Sequence, residues 1–377
     1  MTALFAPLTL RGVTARNRVW VSPMCMYACE ARDGRVGDWH LVHYGSFALG
    51  GSGLVVTEAT ATSPLGRLTP EDAGLWDDAQ IAPWARVVRT VHDAGAVICA
   101  QLAHAGRKAS KYRELPGAGG GRGPLPDAEG GWQPLGATGE PFGRLRTPRA
   151  LTPAELEGCV AEFAAAAGRA VAAGFDGVEL HAGHGYLLHE MLSPVTNTRD
   201  DAWGGDAERR SRLLRETVAA VRAVLPDRAV LLVRLSASDV VPHGTTVEDT
   251  AALAVRLHAL GADLVDCSSG GLVPGVEYDP APGYQVAGAA AVRAAGVPSG
   301  AVGMITEPAQ AEAIIAQGAA DAVLLGRAAL RDPHWARHAA QALGATAALE
   351  VPVPYLRAWH PSAFVTPVPV RQQEQES

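Results

Sequence analysis

Two histidines three residues apart and a tyrosine two further on, His181, His184 and Tyr186, follow the apolar run Gly177-Val178-Glu179-Leu180. Such a run reads as a buried strand, so three polar side chains emerge where a strand ends. Imidazole and phenol groups at that place can donate hydrogen bonds to a substrate oxygen and deliver a proton. The same histidines could instead ligate a metal, which would want a third protein ligand and often a carboxylate. Glu179, one strand period before His181, could point inward to supply it. No His-Glu-x-x-His or facial-triad spacing accompanies the pair, so the expectation is a site without a metal.

These side chains need a frame. The chain alternates short apolar runs with longer amphipathic ones. Strands are expected over 18–21, 54–59, 96–102, 178–180, 230–235, 264–268, 299–304 and 322–326. Helices are expected over 39–50, 79–94, 153–173, 206–224, 247–260, 286–295, 307–317 and 333–343. The helix over 153–173 carries the plainest signals: Thr152 before Pro153, Glu155 at the third helical position, and Gly174 to end it. Strands and helices alternating eight times predict an α/β fold, a (β/α)8 TIM barrel spanning 1–360 as one domain. A doubly wound open sheet is the rival, but no Gly-x-Gly-x-x-Gly follows the first strand.

One stretch fits no element. Residues 114–149 are rich in glycine and proline and lie after the third strand. In a barrel they would hang over the catalytic mouth as a lid, or form a disordered insertion. Residues 361–377 read as a polar tail.

Composition narrows the function. With 377 residues, 48% of them hydrophobic and 19% charged, the chain can bury a large core. Net charge is −7, with no basic stripe, so nucleic acid and anionic membrane surfaces are not expected partners. No apolar run is long enough to span a membrane and no signal-peptide pattern is visible, so a cytoplasmic location is expected. Cysteines 25, 29, 99, 159 and 267 are odd in number and widely scattered. That argues against a disulfide framework and against a four-cysteine iron–sulfur cluster.

In a parallel barrel the active site forms at the C-terminal ends of the strands. The first strand presents Ser22, Pro23, Met24, Cys25 and Tyr27 there; the second presents Glu58 and Ala59; the third, Gln101, His104, Arg107 and Lys108. The fifth offers Arg234, Ser236 and Ser238, the sixth Ser268 to Gly271, the seventh Gly303, and the eighth Gly326 and Arg327. Glycines that let backbone N–H groups approach, together with the Arg327 guanidinium, make a phosphate site. Gln101 and Arg234 are polar groups on buried strands and need partners. A planar heterocycle with carbonyl and N–H edges would supply them, and so, for Arg234, would a buried ion pair. Cys25 is a buried small hydrophobe or a cofactor contact. His40, His43, His92, His104 and His189 read as helix-face or supporting residues.

Taken together, several motifs resemble the old yellow enzyme family. They are Ser22-Pro23-Met24-Cys25-Met26-Tyr27, Gln101-Leu102-Ala103-His104-Ala105-Gly106-Arg107-Lys108, His181-Ala182-Gly183-His184-Gly185-Tyr186, Arg234-Leu235-Ser236 and Gly303 with Gly326-Arg327. The likeness is to its bacterial cysteine-containing branch of NADPH dehydrogenases, the thermophilic-like ene-reductases, and runs from about Leu4 to Trp359. It implies FMN held without a covalent bond, reduction by NADPH, and a small activated alkene as substrate: an enone, a maleimide or a nitro compound. By resemblance, Ser22, Pro23, Met24 and Cys25 line the flavin, and Ala59, Gln101 and Arg234 contact its ring or ribityl chain. Gly303, Gly326 and Arg327 hold its phosphate. His181 and His184 bind the substrate oxygen, Tyr186 donates the proton, and Tyr27 shapes the pocket.

The branch often extends an arginine or aromatic residue into the neighbouring subunit's pocket; Arg357 and Trp359 both qualify here, and a homodimer or homotetramer is implied. Two other readings stay open: a metal-dependent barrel hydrolase using His181 and His184, and a flavin-binding protein without catalysis. The dienoyl-CoA reductase branch of the family adds a cysteine-ligated iron–sulfur cluster and a second nucleotide-binding region, and neither is expected here.

Overall fold

Inward and outward positions alternate along each buried strand, and that alternation builds the molecule. In the computed structural model, which describes residues 2–113, 121–277 and 280–359, eight parallel strands close into a barrel. They are β1 (Val19–Val21), β2 (Leu54–Ala61), β3 (Val97–Ala103), β4 (Gly177–Ala182), β5 (Val230–Ser236), β6 (Leu264–Ser268), β7 (Ser299–Ala301) and β8 (Ala322–Leu325). Each pairs with its neighbour in chain order, and β8 returns to β1 through Leu324 opposite Trp20. The expected TIM barrel is therefore the fold.

Eight helices follow the strands: α1 (Asp38–Leu49), α2 (Ile81–Asp93), α3 (Pro153–Ala173), α4 (Arg212–Val224), α5 (Val247–Ala259), α6 (Val286–Ala294), α7 (Pro308–Ala316) and α8 (Trp335–Ala342). In α3 the Thr152 hydroxyl accepts from the Glu155 amide while the Glu155 carboxylate accepts from the Thr152 amide. Outward strand residues such as Val178, Leu180, Leu231, Val233, Val265 and Val323 join the helices in one large core.

The inward residues form a separate stack. At the bottom lie Trp20, Leu54, Val56, Cys99, Leu232, Leu264 and Leu324. Beneath them sits an antiparallel hairpin, Leu8–Leu10 with Val13–Ala15, that the periodicity did not reveal. One inward step higher the same strands turn polar: Gln101, Glu179, Arg234 and Asp266 are all buried. One step higher again, β4 presents His181 and β6 ends in Ser268. An apolar plug thus carries a charged layer, and the charged layer carries the mouth.

Several local expectations are corrected. The helix expected over 206–224 is broken at Ser211 into Ala207–Arg210 and α4. The seventh strand stops at Ala301, because Gly303 and Met304 take left-handed backbone angles. A helix over Leu187–Leu192 directly follows the histidine turn. Within 114–149, residues 121–149 contain a turn over Asp127–Glu129 and begin the short parallel ladder of Leu135–Gly136 with Arg149–Ala150. The rest of that stretch and the tail 361–377 lie outside the described residues.

Candidate active site

The histidine turn is held from three sides. His184 has φ +57 and Gly185 φ +71. A Cβ on Gly185 would lie 2.4 Å from the Gly271 carbonyl oxygen, so glycine is needed there. The His184 amide donates to Ser236 Oγ at 2.9 Å, and the Gly185 amide donates to His189 Nδ1 at 2.9 Å. His189 Nε2 in turn lies 2.7 Å from Asp239, which is also buried. Lys108 Nζ donates to the carbonyls of His184, at 2.7 Å, and Gly271, at 2.5 Å. Burial pushes Lys108 down to about 7. Glu190, just beyond, accepts from the amides of Arg107 and Ala137 at 2.7 and 3.1 Å. A left-handed backbone at a non-glycine residue is costly and persists only where its surroundings over-determine it.

The held rings converge. His184 Nδ1 and His181 Nε2 are 3.3 Å apart, and the Tyr186 ring stands 4.8 Å from that of His181, nearly perpendicular. Burial, followed by the Arg234 guanidinium, drives both histidines well below the ordinary value of 6.5, so both rings are neutral. Burial raises the Tyr186 phenol above its ordinary 10, with Cys25 and Asp72 adding to the effect. The phenol therefore keeps its proton. Around it, Cys25, Tyr27, Leu68, Ala105, Ala109 and Trp132 form an apolar cluster. Ala59 lines the same region with Leu68, Asp72 and Tyr186.

Opposite the tyrosine, the segment after β1 is fixed by Glu58. Its carboxylate accepts from the Met26 amide and the Tyr44 hydroxyl, both at 3.0 Å. Tyr27 follows at φ +53. Burial, then Asp72 and Glu58, raise the Cys25 thiol, so it is a thiol and not a thiolate.

Below the rings lies the charged layer. Gln101 Nε2 donates to Glu179 at 2.7 Å, and Arg234 Nη1 donates to Ser22 Oγ at 2.8 Å. Arg234 Nε and Asp266 Oδ2 are 3.3 Å apart but not aligned as a hydrogen bond. Arg234 thus has the buried ion pair expected as one of its two readings. Burial raises both carboxyls, and Asp266 raises Glu179 further. Two carboxyls beside one guanidinium do not both ionise readily.

From Ser22 and Arg234 a cavity of about 290 Å³ runs outward past Met24, Ser268, Gln285, Gly303, Gly326, Arg327 and Arg331. The Arg327 guanidinium has only the Met304 sulfur, at 3.2 Å, as a hydrogen-bond partner among the described residues. No carboxylate among them pairs with Arg331 either. A Cβ on Gly303, at φ +112, would sit 2.7 Å from Gln285 Oε1. Ser22, Met24, Arg234, Gly303, Gly326 and Arg327 are thus gathered as expected, and His181, His184, Tyr186, Cys25, Tyr27 and Ala59 meet beside them. Pro23 links the two groups by sequence. Arg357 does not line this cavity; it is exposed on the short C-terminal helix Leu356–Trp359.

Four contributors escaped the sequence. Arg331 lies four residues after Arg327 on one short helix, a spacing that could have exposed it. Gln285, Leu68 and Asp72 come from connecting segments with no periodic signal. Among the described residues, no group of three or more His, Cys, Asp or Glu side chains is placed to hold a metal ion. No helix among them is long and apolar enough to cross a membrane.

A family model, described as the NADH:flavin oxidoreductase / NADH oxidase family, matches residues 3–345. The chain belongs to that family. The resemblance to old yellow enzymes is borne out, and with it an FMN-dependent oxidoreductase; the metal-dependent hydrolase is set aside. Among its relatives is an NADPH dehydrogenase of Geobacillus thermodenitrificans, 44% identical over 360 residues, covering 95% of this chain and 99% of the relative. Among solved structures, morphinone reductase superposes with a TM-score of 0.74 at 28% identity, over 91% of this chain and 90% of the other. A 2-naphthoyl-CoA reductase superposes at 0.80 and 26% identity over 91% of this chain, but this covers only 52% of that longer protein.

The residues present fit the family's flavin. Two arginines, Arg327 and Arg331, with no carboxylate partner among the described residues suit a phosphate dianion. The cavity leads from them to Arg234 and Ser22, at the edge of the apolar cluster that a planar ring would complete.

Proposed function

We propose that the chain is an NADPH-dependent ene-reductase acting on α,β-unsaturated carbonyl or nitro compounds. The reading is carried by one observation: two neutral imidazoles converge to 3.3 Å beside a half-buried phenol that keeps its proton. FMN, when bound, would supply the two-electron redox chemistry between NADPH and the alkene. NADPH is favoured over NADH because relatives that match over nearly their whole length carry that name.

The protein's own groups do the rest. His181 and His184 donate to the substrate oxygen and stabilise it as enolate charge develops. Neutral rings suit this task, since they donate hydrogen bonds without rivalling Tyr186 as the proton source, as an imidazolium would. Tyr186 gives its proton to the α-carbon from the opposite side of the alkene. Arg327, with Gly303 and Gly326, holds the cofactor phosphate, joined by Arg331. Ser22, Pro23, Met24 and Cys25 would line the flavin, and Ala59, Gln101 and Arg234 would hold its ring or ribityl chain. Tyr27 and Trp132 bound the substrate space, which makes the 121–149 segment a cover over the mouth. Arg357 or Trp359 completes the pocket of a second copy in a homodimer or homotetramer.

The test separates the half-reactions. Tyr186→Phe should slow reoxidation by 2-cyclohexenone about 10²–10⁴-fold, the range for a lost general acid, while reduction by NADPH stays near wild type. Equal losses in both half-reactions would contradict the proton-donor role.

A further inference from the structure

The two histidines can serve one oxygen only if both nitrogens that face it carry hydrogen. For a neutral ring that is a matter of tautomer, set by whatever the other nitrogen bonds. We infer that Ser268 and Gln285 are positioning residues that hold His184 in its Nδ1–H form. The inference deepens the ene-reductase reading above and rests on it for its purpose, though its test does not depend on turnover.

The chain of donors runs as follows. Gln285 Nε2 lies 2.8 Å from Ser269 Oγ and 3.2 Å from Ser268 Oγ. An amide nitrogen has two hydrogens and accepts nothing, so it donates to both hydroxyls. Ser268 therefore accepts from Gln285 and has one hydrogen of its own to give. Its other partner is His184 Nε2, at 2.6 Å. With its own hydrogen left free, Ser268 can give it to His184, which makes Nε2 the acceptor and puts the ring hydrogen on Nδ1. His181 is served by its own turn: the Gly183 amide points at its Nδ1 across a long 3.4 Å, which leaves hydrogen on Nε2. The facing atoms, His184 Nδ1 and His181 Nε2, are then both donors.

The opposite arrangement would close the pair on itself. With hydrogen on Nε2, His184 would donate to Ser268, and its bare Nδ1 would accept from His181 across the same 3.3 Å. One donor would be consumed inside the protein before a substrate arrived. The Gln285 amide favours the first, because donating to Ser268 leaves the serine hydrogen free for His184. Gln285 is itself buried and lines the cavity with Arg327 and Arg331, so this cavity and the histidine pair share one hydrogen-bond chain.

The experiment is long-range ¹H–¹⁵N correlation NMR on the holoenzyme labelled at histidine. His184 is expected to show a protonated Nδ1 and a bare Nε2, and His181 the reverse. Protonated Nε2 on His184 would overturn the inference whatever the enzyme's substrate proves to be. Gln285→Glu replaces the donating NH₂ by an acceptor of the same shape, so Ser268 should turn its hydrogen to the carboxylate and His184 should invert. An unchanged tautomer in that variant would also overturn it. Ser268→Ala should lower kcat/KM for the alkene about tenfold, as for one lost hydrogen bond to a reacting group, and Ser268→Thr should restore both rate and spectrum. Failure of the ene-reductase reading alone would show as the expected tautomers in an enzyme that does not reduce enones.

Discussion

Replacing His184 by alanine removes one of two donors aimed at a single substrate oxygen. The remaining donor, His181 Nε2, is unmoved, because His181 sits within β4, paired in register with Arg234. Loss of one preorganised donor in a dry site costs roughly 2.7–4 kcal/mol, about 10²–10³-fold in rate. The assay is anaerobic stopped-flow: enzyme reduced beforehand is mixed with 2-cyclohexenone and flavin absorbance follows reoxidation. His184→Ala should fall within that range, and His184→Asn, which retains a side-chain N–H donor, should recover part of the loss. Retention of flavin absorbance in both variants checks that the fold survives. The wild-type rate carries a second signature. Both rings are driven well below 6.5, so they are uncharged on either side of that pH and their protonation puts no step in the profile there. A loss of less than about fivefold, against the expected two to three decades, would refute the oxygen-binding role. So would a wild-type step near pH 6.5 that vanishes in the variant, since it would mean an imidazolium does the work.

Three further outcomes are expected. Arg327→Met should weaken FMN binding about 10–100-fold, the worth of a charge-assisted contact, yet leave riboflavin binding unchanged, as equilibrium dialysis of both can check. Cys25→Ala should shift the flavin potential in a reductive titration without loss of FMN uptake; an apoprotein that cannot bind FMN would make the cysteine structural. Glu190 is carried by burial from an ordinary 4.5 up to about 7, so its neutral form is favoured in the folded state. Its contribution is fully present below about 4.5 and is lost as pH rises through about 7, a change of at most roughly 3 kcal/mol. Denaturant unfolding should therefore show Glu190→Gln gaining on wild type between those pH values, whatever constant cost its lost acceptor imposes.

The barrel was legible because each inward–outward alternation is local: Leu232-Val233-Arg234 declares both a buried strand and its polar inward residue. The site was legible where chemistry-bearing residues cluster at strand ends, as at His181, His184 and Tyr186. The bottom hairpin was not, because Leu8–Leu10 and Val13–Ala15 are short and only partly buried, so no continuous apolar run marks them. Neither were Gln285 or Asp72, single polar residues whose roles depend on the backbone they face. The break at Ser211 is hidden because residues on both sides of it favour a helix equally. The double role of Arg234, paired with Asp266 and also open to the cavity, could not be divided by sequence, since either role alone would justify a buried arginine.

The central claim is tested most directly by the colour of the purified protein. The account predicts a yellow solution that bleaches on anaerobic addition of NADPH and regains its absorbance when 2-cyclohexenone is added. A yellow protein that bleaches with NADPH but is recoloured by no enone, maleimide or nitroalkene would contradict it.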